Sequence, residues 1–483
     1  MYFKYYKWSK ETIKELYTSL REILLISEPQ LYYPIMSLFF YIHNTNYSHK
    51  IIDFDRPLFI TKVIDVYDRK QYTSNINVKA IIYNKYLKSY NNKDSFVKVL
   101  PLLDPVHYML NNYSVYKYRN PLLPSNYVYN TQNKLNNMNN TAYIDIFFSY
   151  IASNITIHGQ NPAFPIYYGV INGIQEYKYD ITNDLDELKN NKGFNDMYDK
   201  LLTINVSNDM SMQKINRTSS TSYSRSYSSL SSSYSSDSEC EEYIACFKKY
   251  PVSNLFIEKL DGTLEKLIQE EYSPTIIMSC LFQVSFALAY LQKYYKFSHN
   301  DLHINNVMYI NTDKPFLYYK YSNKYFKIPT YGKIFKIIDF GRAIFTYKNK
   351  LYLNDVYSKY GEAEGQYKHP LQVSYIENDN YDYNYNHERS KYFDLCRLSI
   401  TILDEIYYNH NIDDNDILIN LLKFMNTNDK GDRLDKMKDN FDLYITITKT
   451  ACNSLPIDII NNPVFTPYRI KKNKFPKRTF YTI

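Results

Sequence analysis

The chain has 483 residues, enough for one large domain with insertions or for two or three ordinary ones, so small-scaffold architectures are excluded. Its 57 Lys and Arg exceed its 50 Asp and Glu by seven, far from the dense basic composition of a dedicated nucleic-acid binder. The five cysteines are scattered without a CxxC pair, which argues against a disulfide framework or a zinc ribbon and favours a reducing compartment.

The first residues, MYFKYYKWSK, lack the apolar core of a signal peptide. No stretch approaches the roughly 18 uninterrupted apolar residues that cross a bilayer. We therefore expect a soluble intracellular protein with no membrane partner. Residues 11–26 carry apolar side chains at helical spacing and are followed by Pro29, which predicts a helical N-terminal extension over residues 1–55.

A Ser-dominated stretch at 216–242, NRTSSTSYSRSYSSLSSSYSSDSECEE, is too poor in apolar side chains to offset the entropy of ordering it. We predict a disordered insertion over about 204–242. After it, NLFIEKL at 254–260 indicates a strand, and TIIMSCLFQVSFALAYLQKYY at 275–295 indicates a long helix with one apolar face. NVMYI and FKIIDF predict two further strands.

The polar loop FSHNDLHINNVMY, 297–309, lies between these elements. His299 and His303 are four residues apart, a spacing found in zinc peptidases, but Asn300 stands where those enzymes have a general-base Glu. A plain turn whose polar side chains satisfy backbone groups is the third interpretation. From this stretch alone a metal site, a catalytic loop and a turn all remain open.

The downstream sequence KIFKIIDFGRAIF favours the catalytic loop, because Asp339 ends an apolar strand. Asp301 and Asn306 in the loop, together with Asp339, supply the oxygen ligands that suit magnesium, which otherwise keeps water and phosphate oxygens. Magnesium with a nucleoside triphosphate is the ligand that this set predicts.

His299 to Asn306, HNDLHINN, resembles the HRDLKxxN catalytic loop of protein kinases, and Asp339-Phe340-Gly341 matches their DFG motif. The resemblance implies that Asp301 accepts the proton of the attacking hydroxyl and that Asn306 and Asp339 hold magnesium. It implies a structural His299 packed near Phe340, and His303 in the place of the kinase Lys beside the transferred phosphoryl group.

Upstream, FVKVLPLLDP resembles the strand whose Lys contacts the ATP phosphates, which makes Lys98 that residue. Asp145, in the helix AYIDIFFSYIASNI, occupies the place of its acidic partner. LFIEKLDG resembles the interlobe hinge, with Ile257 as gatekeeper and the backbone of Glu258 and Leu260 facing adenine.

In KYFDLCRLSITILDEI, Asp394 resembles the kinase Asp that accepts hydrogen bonds from the catalytic-loop backbone. The phrases FVKVLPLLDP, FPIYYG, GEAEGQY and FDLCRL are also similar to kinase-like proteins of large DNA viruses, which implies the host cytoplasm or the virion. The expected class is α+β, with a bilobal kinase-like fold: a β-rich N-lobe over 56–257, carrying the Ser-rich insertion, and a mainly helical C-lobe over 258–483.

The pattern also departs from protein kinases. No glycine precedes Gly159, so the hairpin at 78–99 lacks a Gly-rich loop over ATP. The Asp145 side chain is one methylene shorter than Glu and is expected to lengthen the pair with Lys98 unless the helix moves inward. Asn300 replaces an Arg that reads activation-segment phosphorylation, and His303 is expected to be a donor that is partly charged near neutral pH.

These motifs predict ATP- and Mg²⁺-dependent phosphoryl transfer to Ser or Thr of a protein substrate. The alternatives are a pseudokinase, which keeps the fold but signals through partners, and a small-molecule kinase, since choline-kinase-like enzymes share an H-x-D loop. The hydroxyl-rich insertion predicts autophosphorylation there, and no specific nucleic acid is expected as a partner.

Overall fold

A computed structural model describes most of the chain, as residues 9–30, 56–69, 73–113, 123, 132–182, 184–197, 200–207, 242–357, 371–376, 380–385, 387–412, 415–437 and 441–483. Most of the Ser-rich insertion, and the expected activation segment at 360–370, lie outside these residues. The described structure is of mixed α+β class. It divides into two units: the first holds the described residues up to 146, 166–207 and 242–259, and the second holds 147–165 and the residues from 260 onward.

The first unit is built on one antiparallel sheet in the order β1-β5-β7-β4-β3-β2, with β6 pairing to β7. Buried side chains alternate along the strand at 76–84, so that one of its faces is buried, whereas the central strand at 242–258 is buried on both faces over most of its length. The strands are β1 (Ser27–Gln30), β2 (Leu58–Arg69), β3 (Ile76–Asn84), β4 (Ser89–Pro101), β5 (Tyr167–Asp180), β6 (Leu202–Ser207) and β7 (Glu242–Glu258).

Helices flank this sheet along the chain. The amphipathic helix α1 begins at the capping residue Ser9, whose side chain accepts from Thr12 N–H. Helix α4 contributes residues 141–146 to the first unit and residues 147–157 to the second. The helices are α1 (Lys10–Glu22), α2 (Pro105–Met109), α3 (Gln132–Leu135), α4 (Thr141–Ile157), α5 (Leu185–Lys189) and α6 (Lys192–Met197).

Helix α8 is the core of the second unit. Its sequence predicts one buried face, but nearly every residue from Ile277 to Gln292 is buried, because other elements cover it on all sides. Among the described helices it alone is long and apolar enough to cross a bilayer, and 83% of its apolar stretch is buried, as in a core helix. The helices here are α7 (Leu264–Glu271), α8 (Pro274–Tyr295), α9 (His387–Ser390), α10 (Phe393–Asn409), α11 (Ile417–Met425), α12 (Phe441–Thr450) and α13 (Pro456–Asn461).

Short strands complete the second unit and frame the polar loop. The predicted strands NVMYI and FKIIDF are present as β9 and β12, paired antiparallel, and an extended hairpin, β10 with β11, connects them as expected. The strands are β8 (Gly262–Thr263), β9 (Val307–Asn311), β10 (Phe316–Tyr321), β11 (Lys324–Pro329), β12 (Lys333–Ile337), β13 (Phe345–Tyr347), β14 (Lys350–Tyr352), β15 (Leu371–Ile376), β16 (Asn380–Tyr385) and β17 (Tyr481–Thr482).

Three boundaries differ from the expected ones. The strand expected at 254–260 is the end of the much longer β7, which begins at Glu242 and ends at Glu258. Residues 204–207, taken as the start of the insertion, belong to β6, because pairing with β7 satisfies their backbone groups. The change of unit follows Lys259 instead of Ile257, and residues 147–165 join the second unit.

Candidate functional site

The polar loop is fixed at both ends by regular structure. Helix α8 ends at Lys296, which adopts a left-handed φ of 46°, and residues 304–306 form a single 3₁₀ turn that leads into β9. Val307 pairs with Ile337, and Ile338 N–H donates to the carbonyl of Asn306 at 3.0 Å. This pairing brings the end of β12, and therefore Asp339, beside the end of the loop.

Asp394 supports the loop from the first turn of α10. Its fully buried carboxylate accepts the backbone N–H of His299 on Oδ2 and that of Asn300 on Oδ1, each at 2.9 Å. Burial raises the pKa of Asp394, although His299 and the two N–H donors oppose the shift. The contact expected between Asp394 and the loop backbone is therefore present.

Asn300 and His299 tie the loop to the segment that follows β12. Asn300 has a left-handed φ of 62°, a conformation that asparagine tolerates, and its amide donates to the carbonyl of Arg342 at 3.0 Å. The buried His299 ring packs against Phe340 with 5.7 Å between ring centroids, and its Nε2 is 2.9 Å from the carbonyl of Ile338. His299 therefore has the packing position that was predicted for it.

The Asp301 side chain is almost buried and is surrounded by groups that favour its ionised form. Arg342 Nε lies 3.9 Å from Oδ2, and the Tyr444 hydroxyl donates to Oδ1 at 3.4 Å. Burial raises the pKa of Asp301, but Arg342, His303, His299 and Arg397 outweigh burial and hold that pKa below its ordinary value. Asp301 is thus anionic at neutral pH.

Among the described residues, the side-chain amide of Asn306 is hydrogen-bonded through its nitrogen and not through its oxygen. Its amide nitrogen donates to the carbonyl of Asp301 at 2.8 Å, while within the described part of the chain its Oδ1 accepts no hydrogen bond. Asp339, at a left-handed φ of 65°, acts electrostatically on His303 and so lies close to the loop. An amide oxygen and a carboxylate fit the hard-oxygen preference of magnesium.

His303 differs from the expected partly charged donor. Its Nδ1 accepts from Asn305 N–H at 3.3 Å, and its Nε2 lies 3.1 Å from the side-chain amide of Asn306. Burial, assisted by Arg397, lowers the pKa of His303 against the opposing charges of Asp301 and Asp339. A histidine with a lowered pKa is mostly neutral near pH 7, so this imidazole supplies less charge there than a lysine would.

His299 and His303 are not arranged as zinc ligands. The Nε2 atom of His299 is bonded to a backbone carbonyl, and His303 contacts the amide of Asn306. Among the residues that the structure describes, no three or more His, Cys, Asp or Glu side chains are grouped to hold a metal ion. The two histidines organise the loop and do not form a pair of ligands.

In the first unit, Lys98 and Asp145 form a close ion pair. Lys98 Nζ is 2.7 Å from Asp145 Oδ2, and the two side chains are 15% and 1% exposed. Lys98 lies on β4 opposite Leu255 of β7, and Asp145 lies in α4. The shorter side chain of Asp145 was expected to lengthen this pair, but it does not, because the helix approaches the strand closely.

Part of the expected hinge is already hydrogen-bonded within the protein. Glu258 N–H donates to the carbonyl of Ile166 at 2.8 Å, and its carboxylate accepts from Ile166 N–H at 3.2 Å. The N–H of Glu258 is therefore not available to adenine. The backbone N–H and carbonyl of Leu260 have no hydrogen-bond partner among the described residues.

The second unit thus brings Asp301, His303, Asn306 and Asp339 into one cluster, and the first unit brings Lys98 to Asp145. The sequence did not indicate the two side chains that hold the Asp301 carboxylate. Arg342 directly follows Gly341, so its position was a usable signal. Tyr444 is 143 residues from Asp301 along the chain and carried no signal, because only the packing of α12 brings it there.

No protein-family model matches the sequence, and a search of curated proteins returns no significant match. The functional assignment therefore depends on the residues and their geometry.

Proposed function

We propose that the protein catalyses magnesium-dependent transfer of the γ-phosphoryl group of ATP to Ser or Thr hydroxyls of a protein substrate. The observation that carries the proposal is the supported loop: Asp394 accepts two of its backbone N–H groups while the loop presents Asp301 and Asn306 beside Asp339. This arrangement supplies a proton acceptor and oxygen ligands on a rigid frame, which phosphoryl transfer requires.

In the proposed reaction the substrate hydroxyl oxygen bonds to the γ-phosphorus, the bond to the β,γ-bridging oxygen breaks, and ADP leaves. Asp301 receives the hydroxyl proton, and its anionic state at neutral pH suits it to that role. Bound magnesium, held by Asn306 and Asp339, would neutralise phosphate charge. His303 contributes position and no charge, which departs from the kinase pattern.

The first unit is the proposed nucleotide-clamping lobe of a bilobal kinase-like fold. Lys98 would contact the α- and β-phosphates while Asp145 orients its ammonium group, as the 2.7 Å pair allows. The connection between β2 and β3 is the proposed phosphate-covering turn instead of the hairpin at 78–99, because β2 is the edge strand beyond that hairpin. Leu260 would offer its backbone groups to adenine.

The test is phosphoryl transfer by purified protein with Mg²⁺ and labelled ATP on a mixture of protein substrates. We expect Asp301→Asn to lower the rate by about 10² to 10⁴, because the variant loses its proton acceptor. The exposed Asp313→Asn is the matched control and should keep the native rate. Labelling by the native protein no greater than by Asp301→Asn would overturn the proposal.

A pseudokinase is the second candidate, and two observations favour it. His303 is neutral where kinases place a lysine, and no glycine occurs before Gly159 to allow close backbone approach to phosphates. A thermal-shift titration with Mg²⁺ and ATP, run beside the transfer assay, separates the two candidates. Stabilisation by the nucleotide without any turnover would select the pseudokinase.

A further inference from the structure

A strongly basic surface lies in the second unit. The hairpin β10/β11 and the chain segment 469–483 form it together, and we call it the hairpin–tail surface. Strand β17 pairs in parallel with β10, and Ile470 N–H donates to the carbonyl of Tyr325 at 2.9 Å. The two segments, far apart in the chain, are therefore one ordered structure.

This surface accounts for the whole positive charge of the protein. Residues 314–330 and 469–483 contain ten of the 57 Lys and Arg and none of the 50 Asp and Glu, which leaves 47 basic and 50 acidic side chains elsewhere. The modest net charge of +7 thus hides one concentrated basic region on a slightly acidic protein. The ten residues are Lys314, Lys320, Lys324, Lys327, Arg469, Lys471, Lys472, Lys474, Lys477 and Arg478.

The cations of the hairpin–tail surface are not neutralised by the protein. Within the described part of the chain none of the ten forms an ion pair with a carboxylate, and eight of them are exposed. Lys324 donates to the neutral amide oxygen of Asn461, and Lys327 lies over the ring of Phe316. Ten unpaired like charges repel one another, so an anionic partner would stabilise this region.

Aromatic rings alternate with these cations on the outward face of the hairpin. Leu317, Tyr319, Phe326 and Ile328 point inward and are buried, so the partly exposed residues alternate with them. Across the strands, outward Tyr318 is paired with Lys327 and outward Lys320 is paired with Tyr325.

Packing holds the aromatic rings of this face in place. Phe475 contacts the rings of both Tyr318 and Tyr325, at 6.0 and 4.9 Å between centroids, and Phe480 contacts Phe475 at 5.0 Å. The rings are therefore part of the surface and do not project from it as insertion into a lipid bilayer would require. Fixed rings beside free cations match a ligand that alternates flat bases with phosphates.

We propose that the hairpin–tail surface binds single-stranded nucleic acid without sequence preference. The lysines and arginines contact phosphates, while Tyr318 and Tyr325 stack on bases. A purely acidic protein partner would use the cations but not the rings, and a membrane surface would not use rings that Phe475 holds within the surface. This binding is independent of the proposed phosphoryl transfer, so either can fail without the other.

The experiment measures fluorescence anisotropy of the full chain with labelled oligothymidylate of about 15 nucleotides. If about four phosphates are contacted, affinity falls about fifty-fold as salt rises from about 50 to about 200 mM. Replacing Lys471, Lys472 and Lys474 with Gln should make the slope of log affinity against log salt shallower by about 2. The matched control replaces the exposed Lys293, Lys430 and Lys449 with Gln and should leave that slope unchanged.

A second variant tests the stacking. Tyr318→Leu keeps apolar volume for Phe475 but removes the ring, and should weaken oligothymidylate binding by about tenfold with no change in salt slope. Thermal unfolding of every variant checks that the fold is retained. Three outcomes would overturn the proposal: no oligonucleotide binding at low salt, equal binding of polyglutamate or of vesicles rich in anionic lipid, or equal losses from both lysine triples.

Discussion

Asp394 shows how one buried side chain can determine the shape of a polar loop. Its two carboxylate oxygens each accept one backbone N–H, and the two donors belong to neighbouring residues, His299 and Asn300. Adjacent N–H groups point in nearly one direction only when the chain bends sharply, and Asn300 provides the bend with its positive φ. The loop conformation thus depends on a residue almost a hundred positions later.

We predict that Asp394→Asn destabilises the protein and impairs activity. One acceptor oxygen would become an NH₂ group facing an N–H donor, so we expect a loss of about 2–3 kcal/mol in the free energy of unfolding. Urea denaturation followed by circular dichroism measures it. The exposed Asp458→Asn is the control and should stay within about 0.5 kcal/mol of the native protein; equal stability of the two variants would contradict the role given to Asp394.

At the residue scale the sequence predicted roles for Asp301, Asn306 and Asp339 by motif, because these residues fall in the HNDLHINN and DFG sequences that resemble kinase motifs. It could not predict the charge of His303. The ionisation of an imidazole depends on desolvation and on which groups face its two nitrogens. Here Asn305 N–H and the Asn306 amide face them, which only the folded loop decides.

At the scale of elements, the edge strand β1 approaches β5 unusually closely at Gly173. A Cβ built on Gly173 would lie 2.1 Å from Cγ2 of Ile26 and 3.3 Å from the backbone oxygen of Ser27. Glycine is required here for close approach of two strands, since its neighbours Asn172 and Ile174 pair with β1.

We therefore expect Gly173→Ala to lower the free energy of unfolding by about 1–3 kcal/mol, because the new methyl overpacks the contact with Ile26. Ile26→Leu removes the branch methyl at that point and conserves volume, so the double variant should recover much of the loss. Ile26→Val keeps a methyl group there and serves as the matched control, with no recovery. Additive losses in Gly173→Ala/Ile26→Leu, measured by urea denaturation, would show that this contact is not the cause.

Several elements of the second unit were predicted correctly from the sequence, and two features were not. Periodic apolar side chains predicted α8, β9, β12 and the hairpin between the strands, and all are present. The single apolar face expected for α8 was wrong, because a helix surrounded by other elements is buried on every side whatever its periodicity. The start of β7 at Glu242 was missed, since strand length depends on the partners β5 and β6.

At the scale of the whole molecule, the free energy of unfolding should depend on pH through His387. Burial, with help from Lys391 and Lys296 and against Glu388 and the backbone of Gln292, lowers the pKa of His387 to about 4. The unfolded chain binds this proton near pH 6.5 and the folded chain only near pH 4. Between these values the unfolded state holds more protons, so stability falls as the pH drops through that window.

We predict that His387→Gln reduces the loss of stability between about pH 6.5 and about pH 4.5 relative to the native protein. Thermal unfolding at several pH values measures the difference between the two proteins, which cancels contributions from carboxylates common to both. The exposed His158→Gln is the control and should reproduce the native pH dependence. A His387→Gln curve parallel to the native one across this range would contradict the prediction.

The overall charge of the protein conceals its distribution. From composition, the excess of seven basic side chains indicated no dedicated nucleic-acid binder. The fold brings residues 314–330 together with 469–483, and these contain ten cations without an acidic residue. The net charge of the chain cannot reveal such a surface. Acidic residues elsewhere offset the ten cations in the total, but those in the described part of the chain are not close enough in space to neutralise them.

The sequence by itself determined which side chains are candidates for the site and the type of its main elements, because motif spacing and apolar periodicity are local properties. It identified Asp301, Asn306, Asp339, Lys98 and Asp145 in their roles, and those roles stay proposals. Only the tertiary structure decided the 2.7 Å approach of Lys98 to Asp145, the neutral state of His303, and the convergence of a distant hairpin and tail. These depend on burial and on contacts between residues far apart in the chain, and no local pattern records them.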